Sequence, residues 1–144
     1  MSQYLGDFVE DATVTFAFTT NDGSGARASF SASLEEADIV IFKDGSAMTL
    51  DASTITITSE PGSRTGVHVV SVDMSNDADF TTGADYMAVL YPSDETVDSQ
   101  APAAVLALWS CENRVVDVGR LNGDSSAAAY LAEQSKRSVT WIST

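Results

Sequence analysis

The sequence predicts an all-β fold, an antiparallel β-sandwich followed by a short C-terminal helix and tail. Three observations carry this. Short runs alternate apolar and polar residues with the two-residue period of a strand, and turn-forming residues fence each run. Past Arg114 the pattern gives way to an alanine-rich stretch with helix-capping signals. With 144 residues, 44% of them hydrophobic, the chain is long enough for one ordinary core. The expected layout is a sandwich domain over residues 1–114 and a docking or oligomerisation segment over residues 115–144.

The organising stretch is Tyr4 to Thr20. From Ala12 onward Val14, Phe16 and Phe18 share one face, while Thr13, Thr15, Ala17 and Thr19 share the other. Asn21-Asp22-Gly23-Ser24-Gly25 is a turn cluster. Arg27 to Ser33 continues as a strand with Ala28, Phe30 and Ala32 on one face, and Leu34-Glu35-Glu36 bridges to the next. Ala37 to Lys43 is rich in β-branched and aromatic residues and ends in Asp44-Gly45, a hairpin turn with Ser46 to Leu50 returning.

Thr54 to Thr58 alternates with Ile55 and Ile57 inward, and Glu60-Pro61-Gly62-Ser63 closes it. In Val67 to Met74 the better core face is His68, Val70, Val72 and Met74, with His68 at its edge. Ser75 to Ala84 is a polar loop anchored by Phe80. Tyr86 to Tyr91 is apolar on both faces, as in a strand covered on both sides or lying at an interface. Pro92 to Pro102 is an acidic loop, and Ala103 to Cys111 is the last long strand of the body.

About eight short strands at this spacing read as immunoglobulin-like in layout, with edge strands available to a neighbouring subunit. Asp124 or Ser125 caps a short helix through Ala127 to Gln134, with Tyr130 and Leu131 as its apolar stripe and Lys136 and Arg137 at its C-terminal end. Val139 and Trp141 alternate in a final short strand.

Charge narrows the function classes. Residues 1–113 hold 18 acids against 3 bases; residues 114–144 hold 3 acids against 4 bases. An acidic body lacks the lysines and arginines that dominate nucleic-acid affinity, so no nucleic-acid partner is expected. No run reaches the roughly 18 apolar residues that span a bilayer, and no secretory leader is read at the N-terminus. The near-neutral tail is the expected docking segment, through Arg114, Arg120, Tyr130, Leu131, Lys136, Arg137 and Trp141.

Reaction chemistry finds little to stand on. GxSxG, HExxH, P-loop and dinucleotide-binding signatures are missing. Cys111 and His68, each the single residue of its type, read as structural; a nucleophilic Cys111 needs a base and an activating environment. The best metal candidate is the run Asp73 to Asp79, whose oxygens suit calcium but lack the EF-hand order, so neither metal nor cofactor is expected. Asp94, Glu95 and Asp98 form a second, weaker cluster. Tyr86, Tyr91, Trp109 and Trp141 offer a sugar-binding platform, or fill a core or an interface.

An ordered set of short motifs resembles a module of tailed-bacteriophage structural proteins. It runs Tyr4-Leu5-Gly6-Asp7-Phe8 with Glu10 to Val14, then Lys43-Asp44-Gly45, Thr65-Gly66-Val67-His68, Gly83 to Tyr86 and Glu112-Asn113-Arg114. More loosely, it is similar to the immunoglobulin-like N-terminal domain of phage baseplate upper proteins. Leu121 to Ala128 resembles the linker that follows the module. The resemblance implies a non-enzymatic virion structural protein, assembled in the host cytoplasm. A capsid decoration protein or head-fibre adaptor is expected, because the chain stops at Thr144 without a long fibre region. Its partners would be the major capsid protein or tail and baseplate proteins, with a homo-oligomer, by analogy a trimer. The alternatives are a tail or baseplate fibre adaptor and, from another class, a carbohydrate-binding module.

Overall fold

The computed structural model describes residues 3–112. Eight strands run in order: β1 (Gln3–Phe8), β2 (Thr13–Thr19), β3 (Ile39–Lys43), β4 (Ser46–Ala47), β5 (Ile55–Ser59), β6 (Val67–Asp73), β7 (Ala84–Leu90) and β8 (Ala104–Cys111). They form a five-stranded sheet in the order β1-β8-β7-β3-β4 and a three-stranded sheet in the order β2-β6-β5. The predicted all-β class holds. The predicted helix and the strand at Val139 and Trp141 lie outside the described residues. Among the described residues no helix is long and apolar enough to cross a membrane.

Alternation decides which side chains meet. On β2, Val14 and Phe16 are buried and Phe18 half-buried, while Thr13, Thr15, Ala17 and Thr19 are exposed. On β6, His68, Val70 and Val72 are buried, as is Met74 just past its end, the face the sequence favours. Ala84, Tyr86, Ala88 and Leu90 of β7, with Ala107, Trp109 and Cys111 of β8, supply the facing side of the same core. Trp109 stacks on Tyr86 with ring centroids 5.7 Å apart and meets Phe16 of the other sheet at 6.3 Å. Phe80 anchors its loop by packing on Tyr86 at 5.1 Å.

Turn chemistry sets the connections. Asp44 and Gly45 both take positive φ, so the β3–β4 hairpin turns within two residues. The returning strand is shorter than expected: only Ser46 and Ala47 pair, with one further bond from the Met48 amide to the Ile41 carbonyl.

Three expectations are corrected. Arg27 to Ser33 is no strand; beyond one bridge from Arg27 to Asn21, this segment is held by loop contacts, Ser31 to Thr96 and Phe30 against His68. The sheets are not wholly antiparallel, because β1 pairs parallel to β8. And β1 is a strand of its own, its alternation hidden by Gly6 at φ 113 and a register shift between Tyr4 and Asp7.

Gly66 marks the tightest crossing. It sits at φ +75, and an added Cβ would lie 2.6 Å from the Thr20 carbonyl oxygen and 3.2 Å from that of Ala28. Left-handed backbone strain and backbone overlap therefore act together, and Gly66→Ala is expected to cost about 2–3 kcal/mol in urea unfolding. A loss below about 0.5 kcal/mol, the range of an ordinary surface change, would contradict this packing. Trp109→Ala should cost about 3–5 kcal/mol in the same assay.

Candidate interaction face

Cys111 and His68, the catalytic-type side chains singled out in the sequence, are absorbed by the fold. Cys111 is 1% exposed in the core. Burial pushes its thiol up, and nearby carboxylates, Glu112 first, push it the same way, which is the reverse of nucleophile activation.

His68 lies deeper than the edge position expected of it, at 1% exposure. Phe18 stacks on its ring at 5.0 Å and Phe30 meets it edge-on at 5.0 Å. The Thr20 hydroxyl donates to the Ala28 carbonyl at 2.5 Å, so at His68 Nε2, 3.1 Å away, it accepts. The ring proton is thereby assigned to Nε2, leaving Nδ1 to accept from the Ser59 hydroxyl at 3.4 Å. This tautomer offers no base toward Thr20. Glu60, the carboxylate whose charge acts on His68, accepts at its Oε1 from the Ser29 hydroxyl and the Gly66 amide.

The acidic loops use their oxygens as staples. Asp73 Oδ1 accepts from the Ser75 amide and hydroxyl. Asp77, 5% exposed, accepts from the Asp51 amide at 2.8 Å and the Asp79 amide at 2.8 Å. Asp98 accepts from the Gly23 amide at 3.0 Å, joining the second acidic cluster to the first turn. Asp22, bound by the Ser24 hydroxyl and by backbone amides, is held below the usual carboxylate range. Among the described residues no group of three histidines, cysteines or carboxylates is placed to hold a metal ion.

The aromatic platform is not assembled among the described residues. Tyr86 and Trp109 are core residues at 1% exposure each, and Tyr91 stands exposed at 66%. Trp141 lies outside the described residues, as do the docking candidates Arg114, Arg120, Tyr130, Leu131, Lys136 and Arg137.

What the five-stranded sheet presents outward is more informative. The register aligns its outward side chains in cross-strand rows. One row is Tyr4, Leu108, Met87, Phe42 and Ala47, crossing all five strands. The next is Val105, Val89 and Val40. On the other side of the first row lie Asp7, Ser110 and Asp85, with Asp44 beside Asp85 and accepting its amide at 2.9 Å. The Ser110 hydroxyl donates to Asp7 Oδ1 at 2.7 Å, and the Tyr4 hydroxyl lies 3.2 Å from it. Exposure is 52% at Tyr4, 37% at Val105 and 36% at Leu108, with Met87, Val89, Val40 and Phe42 half-buried between their neighbours. An apolar band thus lies on the surface of a strongly acidic body, bordered by carboxylates.

Sequence reasoning did not single this face out. Its signal was the run Tyr86 to Tyr91, apolar at both parities, together with Phe42 and Leu108 at outward positions. Comparison with protein-family models, with curated proteins and with solved structures finds no match to this chain.

The buried imidazole gives a pH prediction. Burial holds His68 below its ordinary value of 6.5, while attraction to Glu60 opposes this more weakly. The unfolded chain therefore takes up a proton near its ordinary value, whereas the folded chain does so only at lower pH. The neutral ring's contribution is complete above that value and is lost as pH falls below it. Between about pH 7.5 and about pH 5.5 the native protein should lose more stability than His68→Gln. Parallel curves would contradict the assignment.

Proposed function

We propose that this chain is a non-enzymatic structural protein of a tailed-bacteriophage particle, displayed on its surface as a capsid decoration protein or head-fibre adaptor. The apolar band on the outer face of the five-stranded sheet carries the attachment part of this reading. Contiguous apolar surface on an acidic, self-repelling body is the chemistry of a contact with another molecule. The commitment of Cys111, His68 and the loop carboxylates to internal contacts agrees with a role without a reaction.

The immunoglobulin-like assignment draws support from strand order. The first strand runs parallel to the last at the edge of one sheet, and a three-stranded sheet faces it. The phage setting rests on the ordered motifs. Lys43-Asp44-Gly45 forms the β3–β4 hairpin, Thr65 to His68 opens β6, and Gly83 to Tyr86 opens β7. They are fold-forming signals, and they speak for a shared module more than for a shared site. In this reading residues 115–144 dock the body onto the major capsid protein or onto a symmetry mate.

The test uses purified particles. The protein should be present in many copies, and label bound to it should scatter over the head; label confined to the tail would move it to the tail-adaptor alternative. Deleting residues 115–144 should lower incorporation by at least about tenfold. Particles that lack the protein, or that take up the shortened chain normally, would overturn the respective claim.

A further inference from the structure

We infer that the outer face of the five-stranded sheet receives a segment of a different protein that carries apolar side chains with lysine or arginine along one side. This rests on the attachment reading above and names the partner's chemistry.

The spacing of the rows defines the complement. Side chains two apart on one strand are separated by about 7 Å, and neighbouring strands by about 4.8 Å. The row Leu108, Met87 and Phe42 therefore spans about 10 Å of apolar surface across three strands, extended by Tyr4 at one end. About 7 Å to one side lies the carboxylate row with Asp85 and Asp44, both exposed. To the other side the valines Val105, Val89 and Val40 continue the apolar surface. A partner that places apolar groups on the central row and a cation beside it meets both chemistries at once.

Charge decides against the matching face of a second copy as occupant. The described bases are Arg27, Lys43 and Arg64. None lies on the outward rows, and the Lys43 ammonium donates to the Asp79 carbonyl at 2.7 Å. The matching face of a second copy sets Asp44 and Asp85 against Asp44 and Asp85, within residues 1–113 that hold 18 acids and 3 bases. Like charges brought together at an interface oppose association. A basic, apolar segment is attracted instead, and the acidic border fixes which way round it lies.

Short synthetic peptides are the probes, binding to the full-length protein followed by fluorescence polarisation. One alternates leucine with lysine, a second alternates leucine with glutamate, and a third alternates serine with lysine. The leucine–lysine peptide should bind at least about tenfold tighter than either of the others. Leu108→Asp should weaken it by about tenfold although the variant is more acidic, which separates docking from general charge attraction. Asp44→Asn with Asp85→Asn keeps the turn geometry and should weaken binding several-fold while flattening its salt dependence.

Equal binding of the serine–lysine peptide, indifference to Leu108→Asp, or no binding of any peptide would overturn the inference. So would a dimer of the unliganded protein that Leu108→Asp dissolves, because the occupant would then be a second copy. Particles without this protein would remove the proposed function and leave the peptide result standing. Failed peptides with the protein present on particles would remove only the partner chemistry.

Discussion

Trp109 packs between Tyr86 and Phe16, and through it β8 and β7 of one sheet are joined to β2 of the other. Large aromatic rings bury more area than any other side chains, so this contact fixes how the sheets face each other. Its ring nitrogen is buried without a hydrogen-bond partner, a cost the surrounding apolar contacts must offset. Once Trp109 and Tyr86 point inward, the pleat leaves no choice for Leu108, Met87 and Asp85, which must point outward. The candidate face is the geometric remainder of the core.

The two outer faces differ in kind. The three-stranded sheet presents Thr13, Thr15, Thr19, Thr56, Thr58, Ser71 and Asp73 interleaved with Ala17, Val67 and Val69, and the hydroxyls of Thr15 and Ser71 lie 2.9 Å apart. Its hydroxyls and carboxylate make this face readily wetted. The five-stranded sheet presents valines, leucine, methionine and phenylalanine. Both are the outward half of the same alternation, so core formation alone does not account for the contrast. The proposed contact on the apolar side would account for it.

Much of the fold was legible because local signals agreed with each other. Val14 and Phe16, Ile55, and the series His68 to Met74 all fall on the side that period two assigns them, and Asp44-Gly45 makes the expected hairpin. The failures have physical causes. Gly6 and the shifted register of β1 break the alternation that identifies a strand, and its parallel partner lies about a hundred residues away in sequence. Arg27 to Ser33 has the alternation of a strand, but its Phe30 is recruited by His68, a contact that no local pattern reveals. Of the interaction face, the apolar run Tyr86 to Tyr91 was visible. Its union with Phe42, Leu108 and Val105 required the strand order, which depends on long-range pairing.

The most direct test of the account is site-specific photo-cross-linking in assembled particles, with the reactive group at Met87 in one preparation and at Thr15 in another. Contact through the apolar face predicts that Met87 is joined to a protein of different sequence while Thr15 is not. Cross-links from Thr15 alone, or from Met87 only to further copies of this chain, would contradict it.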